Sequence, residues 1–207
     1  MPKKYAFVID LRKCVGCYAC QVACKQENDV PFGHFRSEVK LNQDGRFPEV
    51  KWRFLPVLCN HCENPICVKA CPVPGATPDR KATYKREDGL VLIDYDRCIG
   101  CGLCAEFCPY GARYVWNEVS AGGVRKADKC NYCVHLLDQG LPPACVRDCM
   151  GKARFIGDIN DPQSEVSMLI SQNQARIAVR ENRLTGGIKP TPTVFYILDD
   201  RTEIEGV

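Results

Sequence analysis

Cys98-Ile99-Gly100-Cys101-Gly102-Leu103-Cys104-Ala105-Glu106-Phe107-Cys108-Pro109 sets four cysteines in eleven residues, spaced C-x-x-C-x-x-C-x-x-x-C and closed by proline. This is the run by which bacterial ferredoxins hold [4Fe–4S] clusters. Three cysteines at every third residue, on a loop that curls around the metal, aim three thiolates at one cubane. The fourth follows on a short helix that points away, and in two-cluster ferredoxins it ligates the neighbouring cluster. Outward from this run, Cys14, Cys17, Cys20 and Cys24 repeat its spacing, and two looser runs follow the same logic: Cys59, Cys62, Cys67, Cys71 and Cys130, Cys133, Cys145, Cys149. The four runs use all 16 cysteines with none left over. That count predicts four [4Fe–4S] clusters and a chain that carries electrons. Lys25 after Cys24 and Met150 after Cys149 depart from the ferredoxin proline but remove no ligand.

The chain also repeats itself. An offset of 84 carries Cys14, Cys17, Cys20 and Cys24 onto Cys98, Cys101, Cys104 and Cys108. An offset of 71 carries Cys59 and Cys62 onto Cys130 and Cys133, and one of 78 carries Cys67 and Cys71 onto Cys145 and Cys149, so the fourth run has a seven-residue insertion. The flanks agree: Ile9-Asp10 precedes the first run as Ile93-Asp94 precedes the third, and Pro65-Ile66-Cys67-Val68-Lys69 matches Pro143-Ala144-Cys145-Val146-Arg147. Duplication of a two-cluster ferredoxin unit is the simplest origin. The pairing of runs stays open at this level: one with two and three with four, one with four and two with three, and one with three and two with four all respect the repeat.

Two other cysteine chemistries compete. A disulfide framework suits an oxidising compartment and a small secreted chain. Here Met1-Pro2-Lys3-Lys4 runs straight into the short apolar stretch Tyr5 to Ile9 and does not read as a signal peptide. Zinc ribbons use C-x-x-C pairs across a long gap, which only the fourth run imitates. No dinucleotide fingerprint or phosphate loop occurs, and basic residues are interleaved with acidic ones, so neither a nucleotide site nor nucleic-acid binding is expected. No apolar run approaches the ~20 residues that span a bilayer.

On these residues the chain resembles the four-cluster iron–sulfur subunits of the molybdopterin oxidoreductases related to dimethyl sulfoxide reductase. It is most similar to the electron-transfer subunits of polysulfide, thiosulfate, tetrathionate and arsenate reductases. The likeness covers nearly the whole chain, through Leu58-Cys59-Asn60-His61-Cys62, Asp88-Gly89-Leu90-Val91, Pro109-Tyr110-Gly111-Ala112-Arg113, Lys129-Cys130, Gly157-Asp158, Asp161-Pro162 and Phe195-Tyr196. The resemblance implies pairing of one with four and two with three. Cys14, Cys17, Cys20 and Cys149 would hold cluster 1, and Cys24, Cys130, Cys133 and Cys145 cluster 2. Cys71, Cys98, Cys101 and Cys104 would hold cluster 3, and Cys59, Cys62, Cys67 and Cys108 cluster 4. The clusters would stand in a row in that order, cluster 1 facing the pterin of a molybdenum or tungsten catalytic subunit and cluster 4 facing an integral-membrane quinone-reactive subunit. No catalytic residue is implied on this chain. Relatives without their own signal are often co-exported with a catalytic subunit, which would place the complex on the outer, periplasmic face of the cytoplasmic membrane; a cytoplasmic face is the alternative. A hydrogenase or formate dehydrogenase iron–sulfur subunit, or a free polyferredoxin shuttle, is the other functional class.

The implied fold is α+β: duplicated ferredoxin-like units with short strands, short helices and long loops. Residues 1–58 would hold the first run and a β-hairpin extension, 59–115 the second and third runs, 116–157 the fourth run completing a unit with the first, and 158–207 a C-terminal helix and strand for docking. Tyr5 to Ile9 and Gly89 to Ile93 read as the leading strands of the two repeats. Thr83 to Arg86 pairs forward across Asp88-Gly89, and Val50 to Val57 pairs with Glu38 to Leu41 across Asp44-Gly45. Asp161-Pro162 reads as the cap and first turn of a helix to about Ser171. Gly186 to Pro192 reads as a loop, Thr193 to Leu198 as the last strand, and Pro72 to Lys81 as an inserted loop that touches a partner. The formal net charge of +3 becomes about −5 once four clusters of about −2 each are counted. Lys13, Lys25, Arg97 and Lys129 adjoin ligands and read as solvated rather than potential-tuning. His34, His61 and His135 read as surface or supporting residues, and Trp52 and Trp116 as core or interface anchors. With so many ligands per residue, metal binding should supply much of the folding free energy, leaving the apo-protein largely unfolded.

Overall fold

The run Tyr-Ala-Phe-Val-Ile-Asp at the start of the chain is apolar without alternation, the pattern of a strand covered on both faces. In the computed structural model, which describes residues 2–75, 81–116, 125–180 and 189–199, all six of these residues are buried. In chain order the strands are β1 (Tyr5–Asp10), β2 (Ser37–Asp44), β3 (Lys51–Leu58), β4 (Thr83–Lys85), β5 (Val91–Ile93), β6 (Tyr114–Val115), β7 (Ala127–Asp128), β8 (Arg154–Asp158), β9 (Ile177–Ala178) and β10 (Val194–Ile197). The helices are α1 (Ala19–Asn28), α2 (Ile66–Lys69), α3 (Leu103–Glu106), α4 (Val134–Leu137), α5 (Ala144–Arg147) and α6 (Glu165–Gln172). The fold is a mixed α+β arrangement of short elements and long loops.

β1 is central in a four-stranded sheet ordered β8-β1-β10-β9. It runs antiparallel to β8, with Ile9 opposite Arg154, and parallel to β10, with Ile9 opposite Tyr196. Successive side chains take opposite faces. Tyr5, Phe7 and Ile9 join Val194, Tyr196, Tyr132, Cys20 and Cys145 in the larger core. Ala6 and Val8 meet Ile197 and Val166, so α6 covers the other face. The sheet thus has one side for cysteines and one for the C-terminal helix.

The two leading strands are not equivalent. Among the described residues β5 pairs only with β4, as a hairpin across Asp88-Gly89, where Gly89 has φ +88°. β1 gains β8 and β10 because the segment that follows the fourth cysteine run returns to it, and no second copy of that segment exists for β5. The hairpin of β2 and β3 spans the whole of both strands, from Ser37 opposite Leu58 to Asp44 opposite Lys51, longer than the alternation predicts. α6 starts later than its sequence signal. Asp161 accepts from the Gln163 N–H at 2.9 Å in a local turn, while Ser164 Oγ accepts from the Ser167 N–H at 3.1 Å and is the N-cap. The loops at 72–81 and 186–192 fall partly outside the described residues.

Candidate functional site: the cysteine rings

Local geometry places the thiols. In the first run, Cys20 and Cys24 are the buried residues of α1, one turn apart on one helix face. In the other runs the third cysteine sits in a one-turn helix: Cys67 in α2, Cys104 in α3, Cys145 in α5. Cys71, Cys108 and Cys149 follow just after those turns. Gly16 and Gly100 hold the loops at φ +65° each. A Cβ there would run into the Phe54 ring at Gly16 and into the Arg125 carbonyl at Gly100, so glycine is required twice over.

α1 packs against α5, joining the first run to the fourth, and α2 packs against α3, joining the second to the third. Two cavities lie at these contacts. One is lined by Cys14, Cys17, Cys20 and Cys149, with Arg154 at its wall. The other is lined by Cys59, Cys62, Cys67 and Cys108, with Asn60 and Arg113 at its wall. Cys24, Cys130, Cys133 and Cys145 are all buried. Cys71 and Cys104 are buried, Cys98 is half-buried and Cys101 exposed. Among the described residues no three His, Cys, Asp or Glu side chains converge tightly enough for a single metal ion. In the two cavities the thiols line a shared open space instead.

The buried thiols resist ionisation. Burial, then the neighbouring Cys145 and Cys133 thiols, pushes the Cys24 thiol up to about 12. Burial pushes Cys145 up to about 11 against the opposing Arg154. Cys130 and Cys62 are raised too, by burial first and thiol neighbours second. Such sulfurs ionise only when metal binding offsets the cost. Donors stand ready for sulfur: the Ala153 N–H points at Cys149 Sγ (3.3 Å), the Tyr132 N–H at Cys130 Sγ (3.4 Å) and the Ala127 N–H at Cys98 Sγ (3.5 Å). Asn28 Nδ2 reaches Cys133 Sγ at 3.6 Å and Cys24 Sγ at 3.9 Å. The Asn60 amide is buried beside Cys59 with neither polar atom hydrogen-bonded. Hydrogen bonds to sulfur are one of the levers that set cluster potentials.

The supporting residues differ from their sequence reading. Lys129 is not solvated: it is 1% exposed, and Nζ donates to the carbonyls of Cys130 (2.7 Å) and Val91. Lys25 Nζ ties down the loop after α1 through the carbonyls of Pro31 and His34. His61 is fully buried and stacks on Tyr132 with centroids 3.8 Å apart. Its Nδ1 accepts from the Val91 N–H at 3.0 Å, which leaves Nε2 to donate to the Cys130 carbonyl at 3.1 Å. Burial, and then the Lys129 charge, holds its pKa well below the usual range, so the ring is neutral. Exposed His135 pairs with Glu27. Trp52 is exposed and lines an open groove with Arg12, Lys51, Arg53 and Phe54 beside Cys14. Asp128, beside Lys129, is buried and accepts from Arg36 (2.8 Å), Tyr95 (2.5 Å) and Tyr114. Sequence reasoning passed over Arg36 and Asp128, which lie outside every motif, and Arg154, which follows Cys149 as Arg113 follows Cys108.

Comparison with known proteins agrees with this chemistry. Residues 50–159 match the 4Fe-4S dicluster domain family. Over 204 residues the chain is 46% identical to the B subunit of tetrathionate reductase from Salmonella typhimurium, covering 95% of this chain and 74% of that one. It is 37% identical over 237 residues to the arsenate respiratory reductase iron-sulfur subunit ArrB of a Shewanella species, covering 94% and 96%. It is 38% identical over 209 residues to the B polypeptide of polysulfide reductase from Wolinella succinogenes, covering 99% and 100%. Among the described residues no helix is long and apolar enough to cross a membrane.

Proposed function

Because this protein belongs to the iron–sulfur electron-transfer subunits of the dimethyl sulfoxide reductase family, we propose that its cysteines hold four [4Fe–4S] clusters in a row. It is a non-catalytic subunit that links a molybdopterin catalytic subunit to a membrane partner in an anaerobic respiratory oxidoreductase. Each cluster supplies a one-electron site; the protein fixes the order, spacing and surroundings of those sites.

One observation carries the ligand assignment. Each of the two cavities takes three thiols from one run and the last thiol of another, Cys149 with Cys14, Cys17 and Cys20, and Cys108 with Cys59, Cys62 and Cys67. By the same exchange, Cys24 joins Cys130, Cys133 and Cys145, and Cys71 joins Cys98, Cys101 and Cys104. The chain then divides into one ferredoxin-like unit from 1–58 with 116–157, a second from 59–115, and a docking extension over 158–207. The partners are a molybdenum or tungsten pterin subunit at the Cys14 end, where the groove beside Trp52 is open, and a quinone-reactive membrane subunit at the Cys59 end, on the periplasmic face.

Serine substitutions in the assembled complex, read by electron paramagnetic resonance, test the exchange. C149S and C17S should alter the same cluster signal, and C149S and C133S different ones. Loss of one shared signal in C149S and C133S would show that each run keeps its own cluster. Quinol added to membranes should reduce the clusters only when the membrane partner is present; reduction by hydrogen instead would reassign the complex.

A further inference from the structure

Two buried cations lie between cysteines of different rings. Arg154 starts β8 opposite Ile9, and its side chain is buried against the face of Phe7, 6.0 Å from the ring centroid. Neither terminal nitrogen has a hydrogen-bond partner, and among the described residues no carboxylate forms an ion pair with it. It lines the first cavity with Cys14, Cys20 and Cys149, and the groups that act on its charge are the Cys145 and Cys20 thiols most strongly, then the Tyr196 hydroxyl, with Cys24 also within its field. Cys14 and Cys20 line the first cavity, while Cys24 and Cys145 belong to the neighbouring set. Arg113 repeats the arrangement. It is 6% exposed, its Nη2 donates to Cys67 Sγ at 3.0 Å and its Nη1 approaches Thr83 Oγ1 at 3.4 Å. It too has no carboxylate partner among the described residues, and the thiols that hold its charge are Cys67, Cys59 and Cys104. Cys67 and Cys59 line the second cavity, and Cys104 belongs to its neighbour. The local sequence is shared: Cys108-x-x-x-Ala112-Arg113 and Cys149-x-x-x-Ala153-Arg154.

A buried guanidinium without an anion is strongly disfavoured. Two such groups at equivalent positions, each near thiols of two sets, call for anions that no described carboxylate supplies. A cluster with four thiolates carries net negative charge. We propose that Arg154 and Arg113 are bridging counter-ions, each seated between the two clusters of one ferredoxin-like unit and raising the reduction potentials of both together. A fixed cation favours the reduced, more negative state of whatever cluster it faces, and a shared one moves both neighbours in the same direction. The inference rests on the exchange pairing proposed above.

Redox titration of the assembled complex, followed by electron paramagnetic resonance, tests it. At a fixed ambient potential R154Q should lower the reduced-to-oxidised ratio of two clusters, those of Cys14 and Cys24, at least tenfold, about 59 mV for one electron. The other two clusters should hold their potentials. R113Q should do the converse, and R154K and R113K, which keep the charge, should stay near wild type. Fully loaded R154Q with unshifted potentials overturns the counter-ion role, as does a uniform shift of all four clusters. A shift in two clusters from different units keeps the counter-ion role and overturns the pairing, which the C149S and C17S comparison decides separately. If R154Q fails to load iron, R154K becomes the test: loading with wild-type potentials supports the role of charge, and failure to load overturns it.

Discussion

Replacing His61 by phenylalanine removes one polar bridge and little else. The His61 ring joins the cysteine loop at 59–62 to β5 and to the loop that carries Cys130, and it is 1% exposed. Phenylalanine keeps a flat, somewhat larger ring to stack on Tyr132, so any overpacking adds to the polar loss. What disappears is the acceptor for the buried Val91 N–H and a donor to the Cys130 carbonyl. That carbonyl keeps Lys129 as a donor at 2.7 Å, so its loss amounts to one ordinary hydrogen bond of about 1 kcal/mol. The Val91 N–H is left unpaired in a buried strand at about 1–3 kcal/mol. The sum is about 2–4 kcal/mol, which for a chain of this length lowers the melting temperature by about 4–16 °C. The assay is anaerobic heating of the assembled complex with loss of the clusters' visible absorbance as the signal. H61Q, whose amide can both donate and accept, should lose less. An H61F complex that melts together with wild type would refute the reasoning.

Three further outcomes follow from the structure. G100A should lower the iron content of the complex and destabilise it by more than the ~1–2 kcal/mol of a left-handed residue, because the Arg125 backbone blocks the added methyl; G111A, at φ +60° with nothing nearby, should show only the conformational term when the two are compared by iron analysis and melting. S164A should remove the cap of α6 and about 1 kcal/mol of stability, seen as a shift of about 2–4 °C in melting with cluster signals unchanged. Stripping iron with an oxidant and chelator should collapse the far-ultraviolet circular dichroism of the protein, since the thiol rings lose the cation that makes their burial favourable; retention of the native spectrum would contradict this.

What was legible in the sequence was local. The leading strand at Tyr5, the pairing of β2 with β3 and the hairpin across Asp88-Gly89 are set by a few neighbouring residues, and they fold as read. The non-local features escaped. Nothing in Tyr5–Asp10 says that its partners are β8 and β10, separated from it by most of the sequence, so its equivalence to β5 was overdrawn. The cap of α6 went to Ser164 because Asp161 is satisfied by its own turn, a competition that spacing does not rank. Lys129 sits beside a ligand in sequence, yet its burial depends on carbonyls from β5. Arg113 and Arg154 share the signal C-x-x-x-A-R, but only the packing shows that each is buried against thiols.

The most direct test is the metal content of the complex, purified anaerobically from its native source with its partners bound. The expected result is about sixteen irons and about sixteen acid-labile sulfides per copy of this protein, together with molybdenum or tungsten. Zinc in place of iron would contradict the cluster assignment, nickel would contradict the pterin partner, and the full iron count with none of these metals would mean a free electron shuttle.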